Sequence, residues 1–252
     1  MCVVAFAWSA HPRWRFVLAG NRDEFHGRPT APLAPWPDSR LLAGRDLQSG
    51  GTWVGIGPAG KVAVVTNVRD GLPPPHAGPS RGALPVAFLS GDLTAEACTA
   101  ALEPTAAAYA PFHLVLADAG GCWHLGNHPP GRERLAPGVH GISNGRLDAP
   151  WPKTRRLARA LADWLDADAD DPGALWLALA DERPADDDEL PDTGVGLALE
   201  RTLSPVFIRG PRYGTRASTL IVVDHAGRAV IHERRFGPAG TPEGETRLSQ
   251  DP

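Results

Sequence analysis

The chain has 252 residues, 42% of them hydrophobic and 21% charged, and its 25 basic and 29 acidic side chains leave a formal net charge of -4. This composition fits a folded globular protein and excludes the collagen-like, coiled-coil and disordered classes. The longest apolar runs, Cys2 to Trp8 and Ala174 to Ala180, are seven residues long, far short of the roughly 18 needed to cross a bilayer.

Apolar runs bounded by turn residues predict strands at 2–8, 14–20, 53–57 and 62–67. After a Pro-rich loop at 70–79, helices are expected at about 81–90 and at 95–103, with Thr94 as N-cap of the second. Strands at 112–118, 122–126 and 138–143 follow. Two further helices are predicted at 153–167 and 173–181, with Pro152 and Pro172 as first-turn prolines. In the first of these, Leu157, Leu161, Trp164 and Leu165 recur at i, i+4, i+7 and i+8, the stripe of a helix lying on a core. Strands at 217–224 and 228–236 close the pattern as a hairpin turning on Asp224-His225-Ala226-Gly227.

Runs such as VAVVT and STLIVV are apolar at consecutive positions, so both faces of those strands should be covered. The order, strands then helices then strands, is not the alternation of a parallel sheet. An α+β fold is therefore expected: a four-layer αββα sandwich of two mainly antiparallel sheets with helices outside. Residues 1–236 read as one domain. Residues 237–252 have almost nothing apolar to bury and read as a mobile tail.

Residues 163–192 hold 12 of the 29 acidic side chains, which reads as a solvated loop. The arginines elsewhere are scattered and make no nucleic-acid footprint. The opening run lacks a basic n-region and a small-residue cleavage site, and Cys2, Cys98 and Cys122 form no CxxC pair. The expectation is a cytoplasmic protein with free thiols.

Three sets of residues could carry chemistry. Removal of the initiator Met before Cys2 would leave a thiol beside a free α-amine, and an amine titrating near 7.7–8.0 can accept a thiol proton without an added His. The bland alternative is a small apolar residue opening a buried strand. Asn21-Arg22-Asp23-Glu24 ends the second strand, with Asn21 and Asp23 on one face and Arg22 and Glu24 on the other. If that strand lies beside the first, one face reaches the thiol, where an Arg would lower its pKa and a carboxylate could hold the α-ammonium. Asn67, Asn144 and Arg216 stand at strand ends, where amides can build an oxyanion hole and an Arg can fix a carboxylate. Turn chemistry would equally explain the two Asn residues.

Two motifs are set aside. Gly55-Ile56-Gly57-Pro58-Ala59-Gly60 matches G-x-G-x-x-G but leads into another β-run, so its glycines turn a hairpin. Cys122, His124 and His128 lack a fourth ligand at a recognised spacing, and no metal is expected.

Taken together, MCVVAF, AGNRDEFHGRPT, LLAGRDLQSGGTWVGI, VAVVTNVRDG, SRGALPVAFL, HGISNGRLDAPWPKTRR and YGTRASTLIVVDHAGRAVIHERRF resemble the NRDE family, which includes the transport and Golgi organisation protein 2 group. The resemblance covers residues 1–236. It implies an N-terminal-nucleophile hydrolase fold, and the family is also linked to handling of haem or lipid intermediates. A more distant similarity to choloylglycine hydrolases and penicillin V acylases implies Cys2 as nucleophile and Arg22, Asp23, Asn67 and Asn144 as its catalytic companions. Asn21, Glu24 and Arg216 are then substrate-binding candidates. Spacing within Asn21 to Glu24 departs from the hydrolase pattern, so the division of roles among those four stays open. Two functions result: a cysteine hydrolase cleaving a small amide, needing no cofactor, or a non-catalytic carrier of haem or an acyl thioester.

Overall fold

The computed structural model describes residues 2–37, 39–71 and 77–252. Two sheets are stacked face to face. The first has six strands in the order β10 (Gly138–Ile142), β1 (Cys2–Trp8), β2 (Trp14–Phe25), β11 (Tyr213–Asp224), β12 (Ala229–Phe236) and β13 (Pro242–Gln250). The second has seven, β3 (Thr30–Pro35), β4 (Leu42–Asp46), β5 (Val54–Gly57), β6 (Lys61–Asn67), β7 (Phe112–Ala117), β8 (Cys122–Asn127) and β9 (Pro130–Arg134), in chain order. Every pairing is antiparallel.

Strand periodicity builds the layers. From β1, Val4, Phe6 and Trp8 enter the core between the sheets with Phe16, Leu18, Val62, Val64 and Ile221. The alternate residues Val3, Ala5 and Ala7 pack outward on α3 (Pro152–Asp166) and α4 (Gly173–Leu179), where Leu157, Leu161, Trp164 and Leu175 meet them. On the second sheet Ala63, Leu114, Leu116 and Leu125 pack on α1 (Ala83–Ser90) and α2 (Ala95–Leu102) through Leu84, Phe88 and Cys98. This is the αββα sandwich. A short helix, α5 (Leu197–Leu203), had no counterpart in the sequence pattern.

The stretch expected to be a mobile tail is instead an edge strand. β13 pairs with β12 from Ala229↔Gln250 to Phe236↔Pro242, and Leu248 packs against the inter-sheet core. Backbone pairing, rather than apolar burial, holds it, so composition gave no signal. The Pro-rich loop at 70–79 lies partly outside the described residues. Pro58-Ala59-Gly60 forms a turn between β5 and β6 with Ala59 and Gly60 at φ 58° and 68°, as a hairpin and not a dinucleotide site requires. No helix among the described residues is long and apolar enough to cross a membrane, and none of them form a group of three or more His, Cys, Asp or Glu placed to hold a metal ion.

Candidate active site

Cys2 and Arg22 are directly paired across β1 and β2, so their side chains share a face. That face is the inner one, and both residues line a cleft of about 360 Å³ between the two sheets. The cysteine is only 6% exposed, and burial pushes its thiol above the ordinary range. Its carbonyl accepts a hydrogen bond from the Ser143 hydroxyl at 2.8 Å, which ties the start of β1 to the segment after β10.

The four residues Asn21 to Glu24, just before the end of β2, divide as period two dictates. Arg22 and Glu24 face the cleft. Arg22 reaches Asp46 of β4 at 3.1 Å and Glu24 at 4.0 Å, while its Nη1 is buried with no partner among the described residues. Arg28 completes the group, 2.5 Å from Asp46 and 3.9 Å from Glu24. Burial would raise the Asp46 carboxyl, but hydrogen bonds from Arg28 and the Ser49 amide and the charges of Arg28 and Arg22 hold it below the usual carboxylate range.

Asn21 does not reach the cleft, which corrects its place as a substrate-binding residue. It is fully buried on the outer face, donating from Nδ2 to the carbonyls of Leu179 (2.8 Å) and Val206 (2.9 Å) and accepting from the Ser218 hydroxyl (2.6 Å). Leu179 ends α4, so Asn21 satisfies one of the carbonyls that a helix C-terminus leaves open. Asp23 starts on the same outer face, where its carboxylate accepts from Thr215 at 2.7 Å, yet it also borders the cleft. Burial raises its pKa, and the buried Lys153 is the first charge opposing that rise. Burial lowers Lys153 in turn, to about 8, with Asp23 its strongest support.

The two asparagines expected to form an oxyanion hole are joined to each other. Asn144 is fully buried, and its Nδ2 donates to the Asn67 carbonyl at 2.9 Å and the Asn67 side-chain oxygen at 3.1 Å. Both hydrogens are used, so Asn144 acts on Asn67 and makes no contact with the cleft. Asn67 borders the cleft, and its own Nδ2 donates to nothing among the described residues. Arg216 also faces the cleft, for a reason invisible in the sequence: the β2–β11 register shifts between Thr215 and Ala217, and the extra residue is Arg216. A bulge re-aims a side chain in this way. Its Nη1 donates to the carbonyls of Phe25 (3.2 Å) and Arg28 (2.7 Å), leaving a buried Nε unpartnered.

Sequence reasoning missed Arg28, Asp46, Thr52, Arg81, Glu233 and Arg235, all of which line the cleft. Arg28, Asp46, Thr52 and Arg81 stand inside the quoted motifs AGNRDEFHGRPT, LLAGRDLQSGGTWVGI and SRGALPVAFL, the signal that was there to be used.

A family model described as Transport and Golgi organisation 2 matches residues 1–238. The chain belongs to that family. The Homo sapiens Transport and Golgi organization protein 2 homolog is 32% identical over 273 residues, covering 98% of this chain and 97% of that one. The Mus musculus homolog is 29% identical over 270 residues, with the same coverage of 98% and 97%. Among solved structures, a C2A mutant of conjugated bile acid hydrolase from Clostridium perfringens overlays with TM-score 0.50 at 7% identity, covering all of this chain and 92% of that one. At that identity the family member and the hydrolase share a fold, and nothing about activity follows from the overlay.

Proposed function

We propose that the chain is a cysteine N-terminal-nucleophile hydrolase cleaving the C–N bond of a small amide. The observation that carries this reading is the position of Cys2, at the start of a central strand and in the wall of a cleft, registered opposite Arg22. Loss of the initiator methionine would put a thiol and an α-amine together there. The amine takes the thiol proton, and the thiolate attacks the substrate carbonyl. As the C–S bond forms, the carbonyl π pair moves to oxygen, where the open Nδ2 of Asn67 donates to the oxyanion while Asn144 holds Asn67 in place. Collapse expels the amine leaving group, which takes its proton from the α-ammonium. Water activated by the same amine then hydrolyses the thioester. Asp23 serves as counter-charge to the α-ammonium, and Arg22 to the thiolate.

The cleft does not suit a porphyrin. Among the described residues, only Trp53 of the tryptophans and no histidine lines it, and the carboxylates of Glu24, Asp46 and Glu233 would be set against apolar ring faces. No step is routed through haem. The test has two parts. Intact mass of protein made with normal methionine aminopeptidase should show a chain beginning at Cys2, and a homogeneous mass retaining Met1 sinks the mechanism. Hydrolysis across a panel of acyl amides should fall about 10²-fold or more on Cys2→Ser. An absence of turnover together with acyl-thioester binding that survives Cys2→Ser, measured by calorimetry, would make the carrier the better reading.

A further inference from the structure

The cleft holds several arginines, and they differ in what already neutralises them. Arg22 and Arg28 share Asp46 and Glu24. Arg235 lies 3.3 Å from Glu233 and donates to Thr246. Arg45, Arg81 and Arg216 have no carboxylate among the described residues within 4.0 Å; Arg45 stacks on Trp36 and Arg216 donates to two backbone carbonyls, whereas Arg81 makes one side-chain hydrogen bond, from Nη1 to the Pro111 carbonyl at 2.8 Å. It is half-buried, and burial lowers its basicity, as expected of a guanidinium withdrawn from water without a full set of partners. Of the charges that act on it, Cys2 comes first and Glu24 second.

The turn that carries Arg81 is built to hold still. Thr52 N donates to the Gly82 carbonyl at 3.1 Å, and Gly82 N donates to the Ser80 hydroxyl at 3.2 Å. A Cβ on Gly51 would lie 2.4 Å from the carbonyl carbon and oxygen of Gly82, so only glycine permits the backbone approach. The Gly51-Thr52 segment, part of the motif LLAGRDLQSGGTWVGI, is thus a backbone seat for the residue beside Arg81. A fixed, half-desolvated cation without an ion-pair partner, in the wall of the same cleft as the thiol, is arranged to receive an anion from outside the protein.

We propose that Arg81 recognises an oxyanionic group, carboxylate or phosphate, on the molecule that Cys2 attacks, so that the substrate is an anionic amide. This deepens, and rests on, the hydrolase reading. The guanidinium offers paired N–H groups in the plane that either anion accepts.

The test needs no turnover. Cys2 is alkylated in parallel with anionic iodoacetate and neutral iodoacetamide, and the ratio of the two rates is taken by peptide mass mapping. Any effect of Arg81 on the thiol pKa cancels in that ratio, which leaves recruitment of the anion. Arg81→Met should lower the ratio roughly tenfold, and Arg81→Lys should retain part of it. Arg22→Met, which removes a cation already paired, should lower it less. An unchanged ratio in folded Arg81→Met, or an equal or larger loss in Arg22→Met, overturns the proposal. If Arg81→Met does not fold, the wild type decides: inorganic phosphate or acetate should protect Cys2 from iodoacetamide where chloride at equal ionic strength does not, and the stronger protector names the class of anion. No protection by either overturns the proposal. Should the ratio behave as expected while no amide is turned over, the hydrolase reading falls and anion recognition by Arg81 stands.

Discussion

From four consecutive residues of β2, Asn21 and Asp23 turn toward the helices and Arg22 and Glu24 toward the cleft, and the two pairs are held in opposite ways. On the helix side Asn21 has fixed and complete partners, joining α4, the Val206 carbonyl and Ser218, and Asp23 accepts from the Thr215 hydroxyl. On the cleft side the partners are charges shared among several groups, with the buried Nη1 of Arg22 left over. The helix side holds the layers together. The cleft side keeps unspent capacity for something that is not part of the chain. The contrast predicts that stability responds to one face and reactivity to the other.

The largest stability effect should come from Asn21→Leu, which is close in volume but strands two buried carbonyls and the Ser218 hydroxyl. Leaving buried polar groups unpaired costs about 1–3 kcal/mol each, so a loss of roughly 4 kcal/mol is expected in denaturant or thermal unfolding. If Asn21→Leu folds with wild-type stability, the division between the faces is wrong.

A second buried polar set extends the same comparison to the inner face of the other sheet. His113 Nδ1 lies 3.0 Å from His124 Nε2, whose ring in turn contacts Glu133 at 3.1 Å. Burial, and then the charge of His124, lowers His113 to about 4. A folded-state pKa below the unfolded value of about 6.5 means that the unfolded chain binds the extra proton first. Stability should therefore fall as pH drops from 6.5 toward 4, by on the order of 3 kcal/mol at the lower end. Unfolding of wild type and His113→Gln across that window measures it, and the variant should lose the His113 share of the slope while His124, lowered by its own burial, keeps a share in the same direction.

Cys2→Ser belongs to the cleft side. Turnover of an amide substrate should drop about 10²-fold or more, while unfolding free energy moves by less than about 1 kcal/mol. A large stability loss with unchanged turnover would return Cys2 to the core.

How far the sequence discloses these features depends on which force built each one. Strands that bury apolar side chains on both faces, such as β1, β6 and β11, announce themselves as runs. β3, β9 and β13 do not, because their residues are largely polar or exposed and pairing of the backbone holds them, and β4 buries only Leu42 and Ala43, too short a run to stand out. Strand alternation divides Asn21 to Glu24 correctly, but which face meets the thiol depends on where the second sheet stacks. Asp46 and Arg81 come from that second sheet and from a turn docked on it, so no spacing along the chain ties them to Cys2. Arg216 is aimed by a bulge, and Asn144 is withdrawn by its own bonds to Asn67; both are consequences of tertiary register.

The smallest expected effect tests the cleft face most finely. Glu24 opposes thiolate formation at Cys2, whereas Arg22 favours it. Glu24→Gln keeps the shape and the hydrogen bond to the Phe25 amide while removing the charge. The thiol pKa should fall, and alkylation by neutral iodoacetamide near pH 7.5 should quicken by roughly two- to fivefold, a modest factor because the carboxylate is partly solvated. At a pH above the thiol pKa both proteins carry a full thiolate and the rates should converge, which separates a charge effect from a change in access. Unfolding free energy should shift by less than about 0.5 kcal/mol, since the ion pairs lost, at 3.9 and 4.0 Å, are long and already replaced by Asp46 at both arginines. A slower reaction in Glu24→Gln at pH 7.5 would mean that Glu24 supports the thiolate indirectly, by orienting Arg22, and the cleft face would then owe more to fixed partners than its geometry suggests.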